Sequence, residues 1–387
     1  MIPFIDLRAQ QARIRDGLDA SMARVLDHGQ YIMGPEVAAL ESTLAAYCGV
    51  EHALGCANGT DALILALMAL DIGKGDAVFA PAFTFVATVE AVRLVGATPV
   101  FVDVDSESFN LCPQSLAEAV DAVRKAGDLR PRAVMPVDLF GQPADYRAIE
   151  EIAAAERLEV IADAAQSFGA QLDGVRVGRL ARVSTTSFFP AKPLGCYGDG
   201  GAIFTDDEDL ARLIVSLRNH GQGSDKYDNV RVGLNSRLDT LQAAVLLEKL
   251  KIFDDELSRR DEIAARYRSL LGNDCQVQRL IAGATSSWAQ FTLLAEDRDG
   301  LRDHLKDRDI PTAVYYPKPN HLQGPYLEAP RAPKGLPVTE HLQQRVVSLP
   351  MHPYLSEELQ DRIVGHVLDF RRKRDLAGAP QAEPATS

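Results

Sequence analysis

Between residues 61 and 163 the chain alternates two kinds of segment, and this rhythm constrains its fold more than any other feature. Ala77-Val-Phe-Ala-Pro, Thr98-Pro-Val-Phe-Val-Asp, Ala133-Val-Met-Pro-Val and Glu159-Val-Ile-Ala-Asp are short, rich in β-branched residues and end in turn or acidic residues, as buried strands do. Between them, residues 61–70, 84–95, 113–126 and 146–156 repeat Ala and Leu with helical period. The alternation predicts successive βαβ units, hence an α/β fold with a mainly parallel sheet covered by helices on both faces. In such sheets ligands bind beyond the carboxyl ends of the strands, so polar residues just after each strand are the first candidates for a site.

A second regime begins near residue 250. Residues 249–271 read as a long charged helix, 288–294 as a strand and 298–308 as an amphipathic helix. Residues 316–337 form a Pro/Gly-rich loop, a length more often functional than idle. The expected organisation is a large domain over 1–250, a smaller C-terminal α/β domain over 251–376 and an Ala/Pro/Ser-rich disordered tail over 377–387. Acidic residues outnumber basic ones, 54 to 41, for a net charge of −13. That balance argues against a nucleic-acid partner held by phosphate neutralisation. No apolar run approaches the roughly 20 residues that span a bilayer, and the N-terminus has no apolar leader. Cys48, Cys56, Cys112, Cys196 and Cys275 form no C-x-x-C pair. These features predict a reduced, cytoplasmic protein without a membrane partner.

Metal and nucleotide motifs are missing. The eight histidines make no H-x-x-x-H pair, so no metal is expected. There is no G-x-x-x-x-G-K-[ST] loop, and the glycines at 195, 198, 200 and 201 do not fit G-x-G-x-x-G. Instead, Lys192 stands between Pro190 and Pro193, after an apolar strand and before a glycine-rich turn. Most lysines are surface residues. A lysine nucleophile, however, needs a fixed and partly desolvated backbone of this kind if it is to lose its proton and form a Schiff base. Gly59 and Thr60 open an apolar helix, where first-turn N–H groups suit a phosphate; the alternative is that Asn58 or Thr60 merely caps it. Asp163 ends a strand, where a carboxylate neutralises a ring cation, caps a helix or binds magnesium. Together, a phosphate cradle, a strand-end acid and a held lysine are what pyridoxal 5′-phosphate (PLP) requires.

These residues lie in longer motifs. Phe4-Ile-Asp-Leu, Tyr31-Ile-Met-Gly-Pro-Glu-Val, Cys56-Ala-Asn-Gly-Thr-Asp-Ala-Leu, Pro81-Ala-Phe-Thr-Phe-Val-Ala-Thr, Ile161-Ala-Asp-Ala-Ala-Gln, Ser187-Phe-Phe-Pro-Ala-Lys and Gly233-Leu-Asn-Ser-Arg-Leu-Asp-Thr-Leu-Gln-Ala-Ala resemble, in order, the DegT/DnrJ/EryC1/StrS family of nucleotide-sugar aminotransferases. The resemblance runs from about residue 3 to about 370 and implies the fold-type I aminotransferase architecture. It implies that Lys192 carries PLP and shuttles the α-proton, and that Asp163 pairs with the pyridinium nitrogen. Gln166 would contact the ring hydroxyl or stack beneath the ring, and Phe85 would cover its other face; the plain reading of Phe85 is a core aromatic on a helix. Gly59, Thr60 and Ser187 would bind the phosphate, joined by Asn235 from the partner subunit of a homodimer. Ser236-x-x-Asp239 also reads as a capping box opening a helix over 238–250.

The run Lys192-Pro-Leu-Gly-Cys-Tyr-Gly-Asp-Gly-Gly-Ala resembles enzymes that aminate C3 of a keto-sugar. The stretch from Gly221 to Arg237 resembles those making UDP-2-acetamido-3-amino-2,3-dideoxy-glucuronate for O-antigen, with glutamate as amino donor. Arg237 then becomes a candidate reader of the sugar carboxylate, its alternative being an interface salt bridge with Asp239 or another acid. Tyr315, Tyr316 and His321 become candidate substrate contacts, Tyr315 standing where the family often has His. Amination of a dTDP-3-keto-6-deoxyhexose or of a 4-keto sugar is the alternative within the family. A non-catalytic sugar-binding regulator is the alternative of another class.

Overall fold

The computed structural model describes residues 2–225 and 227–378. Strands β1 (His52–Cys56), β2 (Asp76–Pro81), β3 (Thr98–Val102), β4 (Arg130–Val134) and β5 (Glu159–Asp163) are followed by a small hairpin, β6 (Gln171–Leu172) and β7 (Val175–Arg176), and then by β8 (Val183–Ser187) and β9 (Gly201–Thr205). Seven of them form one sheet in the order β1-β9-β8-β5-β4-β2-β3. Within it only β9 runs against the others, pairing antiparallel with both β1 and β8. β2 and β9 are buried along their whole length, because helices cover both faces. On one face Gly59–Ala69, Ala87–Leu94 and Glu208–Leu217 pack through Leu63, Val89 and Ile214; on the other, Pro113–Ala126 and Tyr146–Glu156 pack through Leu116 and Ile149.

The reversal at β9 sets up the site. Ser187 pairs with Gly201, which in turn pairs with Cys56. Three strand ends and the start of helix Gly59–Ala69 therefore meet at one edge, next to Asp163 at the end of β5. Glycine is required there, since a Cβ on Gly201 would fall 2.6 Å from the Asn58 carbonyl carbon.

A second, antiparallel sheet of β10 (Gln276–Val277), β11 (Phe291–Leu294) and β12 (Val346–Leu349) is covered by helices Arg298–Lys306 and Glu357–Gly378. Its core stacks Tyr267, Phe291 and Trp288, with Ile2 from the chain start packed in. The stretches expected as helices over 238–250 and 249–271 are one helix, Thr240–Leu271. It crosses residue 250 without a break, its Phe253 packing on the large sheet's layers and its Tyr267 in the small core. The 316–337 loop returns to the large sheet, Phe101 exchanging hydrogen bonds of 2.8 Å with Pro330 and Ala332. The tail expected over 377–387 lies outside the described residues from 379 onward; Ala377 and Gly378 close the last helix. Among the described residues no helix is long and apolar enough to cross a membrane.

Candidate active site

A cleft of about 480 Å³ opens at the carboxyl edge of the large sheet. Asp163 and Lys192 lie in its floor, with Gln166, Tyr315 and Tyr316 on one side and Gly59, Thr60 and Ser187 at one end. Phe85 and Phe189, each about half exposed (54% and 52%), form apolar lips. Phe85 is not a core residue, because the helix expected from 84 begins only at Ala87, and the preceding turn carries Phe85 over the cleft, 6.0 Å from the Tyr316 ring.

The held lysine owes its place to a sealed turn. Lys192 N–H donates to Phe189 O at 2.9 Å and Cys196 N–H to Phe188 O at 2.8 Å. The Lys249 ammonium, buried under the turn, donates to Gly195 O at 2.6 Å and lies 4.3 Å above the Tyr197 ring. Gly195 admits no side chain, as a Cβ there would meet Phe189 O at 2.5 Å. Burial lowers the Lys192 pKa from its ordinary value and the Asp163 charge opposes that fall, so the amine is more available as a free base at neutral pH. Burial likewise pushes the Asp163 carboxyl up, while Thr88, Ala165 and Lys192 pull it back. Its Oδ2 accepts from the Thr88 hydroxyl at 2.7 Å and its Oδ1 from Ala165 N–H at 3.2 Å. Thr88 is the functional neighbour that residue-by-residue reading missed, although it closes the Pro81–Thr88 motif one helical turn after Phe85. Gln290, directly before β11, also lines the cleft, and its Oε1 is buried without a hydrogen-bond partner among the described residues.

Residue by residue, the cleft fits PLP. The Asn58 carboxamide caps Asp61 N–H at 2.8 Å, which leaves the N–H groups of Gly59 and Thr60 without an acceptor among the described residues. A Cβ on Gly59 would lie 2.7 Å from Ser187 Cβ, so the helix start and the Ser187 hydroxyl form a close concavity that suits a phosphate. Capping and phosphate binding are therefore compatible here. Gln166 is held on both ends, its Oε1 accepting from Phe140 N–H at 2.9 Å and its Nε2 donating to the Tyr316 hydroxyl at 3.3 Å.

Three expected site residues lie elsewhere. His321 is buried outside the cleft, because Asn320 is pinned to Ala82 O (2.9 Å) and Thr84 O (3.2 Å), which turns the imidazole toward Phe101 and Glu340. Asn235 and Arg237 line a neighbouring pocket of about 500 Å³ that meets the cleft at Asn58 and Asp199. The Ser236/Asp239 capping box does not form, since the Ser236 hydroxyl accepts from Ala57 N–H at 3.1 Å and Asp239 makes no side-chain cap. Within its own chain Arg237 does not pair with Asp239: it donates to the amide oxygens of Asn219 (3.0 Å) and Asn235 (2.5 Å).

The sequence pattern of the DegT/DnrJ/EryC1/StrS aminotransferase family matches residues 13–368. The chain belongs to that family. A Pseudomonas aeruginosa protein named UDP-2-acetamido-2-deoxy-3-oxo-D-glucuronate aminotransferase is 50% identical over 356 residues, 92% of this chain and 96% of its own. The crystal structure of a DegT DnrJ EryC1 StrS aminotransferase from Brucella abortus superposes with a TM-score of 0.95 at 54% identity, covering 96% of this chain and all of that one. NtdA of Bacillus subtilis, solved with bound cofactor PMP, gives a TM-score of 0.85 at 30% identity over 95% of this chain and 83% of its own. Among the described residues of this aminotransferase, no group of three or more His, Cys, Asp or Glu is arranged to hold a metal ion.

Proposed function

We propose that this PLP-dependent aminotransferase moves the amino group of L-glutamate onto C3 of UDP-2-acetamido-2-deoxy-3-oxo-glucuronate. The work is cytoplasmic and serves a surface polysaccharide of the O-antigen type. The observation that carries the acidic-sugar reading is Arg237, whose guanidinium rests on two neutral amide oxygens and has no acidic partner among the described residues. Its planar fork takes a carboxylate through parallel hydrogen bonds, which a hydroxymethyl or methyl group at C6 cannot match. The half-identical Pseudomonas relative, named for this sugar, supports the same substrate.

PLP, when bound, supplies an aldehyde that condenses with amines and a ring that draws electrons from the adjacent carbon. The chain's residues do the rest. Lys192 holds the cofactor, takes the α-proton of glutamate at Nζ and returns a proton to C3 of the sugar. Asp163 keeps the ring nitrogen protonated. Gly59, Thr60 and Ser187 hold the phosphate, with Asn235 of the other protomer completing that end in a homodimer. Gln166 and Phe85 bracket the ring, and Tyr315 and Tyr316 face the sugar.

Mass spectrometry of products from a panel of 3-keto and 4-keto nucleotide sugars with glutamate tests the reading, which expects a 3-amino hexuronate as the favoured product. Arg237→Met should lose on the order of ten- to a hundred-fold in kcat/KM on the acid, and far less on a neutral 3-keto hexose. Equal losses on both sugars would make Arg237 structural, and preference for a 4-keto sugar would overturn the assignment.

A further inference from the structure

Behind Asp163 lies a second carboxylate that the chemistry above does not use. Asp138 is fully buried. Its Oδ1 accepts from Ala144 N–H and from the Tyr146 hydroxyl, both at 2.9 Å, and its Oδ2 accepts from the Ser167 hydroxyl at 2.6 Å. Its own N–H donates to Asp163 O at 3.1 Å, and the adjoining Val137 bridges to Asp163 in parallel register. The ionisable groups around it are Asp163 on β5 and Tyr146 on helix Tyr146–Glu156; Glu150 of that helix faces Tyr146, and Lys192 faces Asp163. No cation pairs with Asp138 among the described residues. Burial therefore pushes its carboxyl up to about 7, against the pull of its three donors and with the Asp163 charge adding to the rise. A buried charge without a counter-ion is expensive, and an asparagine of the same shape would serve a purely architectural role at less cost.

We propose that Asp138 is a positioning residue acting through Asp163. It fixes the 163–167 turn that also carries Gln166, and it places a second buried negative charge behind the acid, raising the proton affinity of the ring nitrogen that Asp163 faces. This rests on reading Asp163 as the ring-nitrogen partner of PLP. When Asp138 is ionised the field supports the protonated ring; when Asp138 is neutral the support is lost.

The test compares wild type, Asp138→Asn and Ser167→Ala. In the PLP-loaded enzyme, wild-type kcat should fall on the acid side with a midpoint near 7. Asp138→Asn should lose that limb and run about ten-fold slower at higher pH, as one unit of proton affinity implies, with KM for the sugar held within about two-fold. Ser167→Ala keeps the charge but loses its shortest donor, so the limb should move to higher pH. Two readouts need no sugar. The pH midpoint of the cofactor's visible absorbance should move down in Asp138→Asn, because a nearby negative charge is gone. In the apo protein, native Asp138 keeps a proton that the unfolded chain releases above about pH 4. Wild-type stability should therefore fall between about pH 4 and pH 7, and the melting temperature of Asp138→Asn should gain on wild type across that window. Slowing by the same factor at every pH with an unmoved absorbance midpoint would reduce Asp138 to architecture and overturn the proposal. If Asp138→Asn does not fold, an unmoved limb in Ser167→Ala overturns it equally. A wild type that aminates none of the keto-sugars defeats the substrate assignment alone, since absorbance and melting are read without sugar.

Discussion

Asp163 and Lys192 are the pair on which the proposed chemistry turns, and each sets the other's proton affinity. Burial favours the neutral form of both, and their mutual attraction opposes it. Lys192→Ala removes the amine, so the visible absorbance of the Schiff base and all transamination should vanish, although PLP can still bind through its phosphate. Asp163→Asn removes the charge proposed to keep the ring protonated. A loss of about 3 kcal/mol in the transition state corresponds to a turnover at least about a hundred-fold slower, with a near-normal circular dichroism spectrum. Near-normal turnover of either variant would remove that residue from the assignment. At this scale the sequence was legible wherever the chemistry is local. Pro190, Lys192 and Pro193 are neighbours in the chain, and their rigidity shows without any partner. Thr88 is 75 residues from Asp163, and nothing in the sequence announces that contact. His321 went the other way: a motif placed it near substrate, but the anchoring of Asn320 to Ala82 and Thr84 rotates it out of the cleft.

Among the elements, helix Thr240–Leu271 does more than connect the two sheets. Lys249 reaches from it to Gly195 O, 54 residues earlier, and so holds the turn that presents Lys192. Strand and helix periods were readable because each pattern repeats within a few residues; helices Pro113–Ala126 and Tyr146–Glu156 match their expected bounds. The cross-element clamp was not readable, since Lys249 sits among the charged residues of an apparently solvated helix. Burial lowers the Lys249 pKa from 10.5 to about 8. Below about pH 8 the native and unfolded states both hold the proton, and the native state carries the full desolvation penalty. Between 8 and 10.5 the unfolded chain holds the proton while the native state releases it, so the penalty shrinks as pH rises. Urea unfolding of wild type should therefore gain roughly 3 kcal/mol over Lys249→Met across that window. The Met variant keeps the apolar stem but leaves a buried carbonyl unpaired, and near pH 7 should show slower turnover as the Lys192 turn loosens. A pH-independent difference between the two proteins would mean that Lys249 is not desolvated as described.

For the molecule as a whole, the question is whether one chain makes a complete site. Within one protomer Asn235 does not enter the main cleft; it lines the adjoining pocket, which touches the cleft only at Asn58 and Asp199. Ile32 lines that pocket, and it and its chain neighbours Tyr31 and Met33 are each about half exposed, an apolar surface that a lone chain would be expected to hide. In the proposed homodimer each protomer's 233–237 loop reaches the other's phosphate end, where the N–H groups of Gly59 and Thr60 have no acceptor among the described residues. Two inactive variants then become complementary. Lys192→Ala lacks the amine but supplies an intact loop, and Asn235→Ala lacks the loop amide but supplies an intact cleft. In a hybrid dimer one of the two sites combines the wild-type lysine with the wild-type asparagine, and the other carries both lesions. Random mixing gives about half hybrids, each with one good site in two, so recovery of about a quarter of wild-type activity per total site is expected when association is unbiased. The measurement is activity after co-refolding, with heterodimers verified by two different affinity tags and each single variant confirmed inactive. Verified heterodimers that stay inactive would mean that each protomer builds its site alone and that Asn235 acts within its own chain.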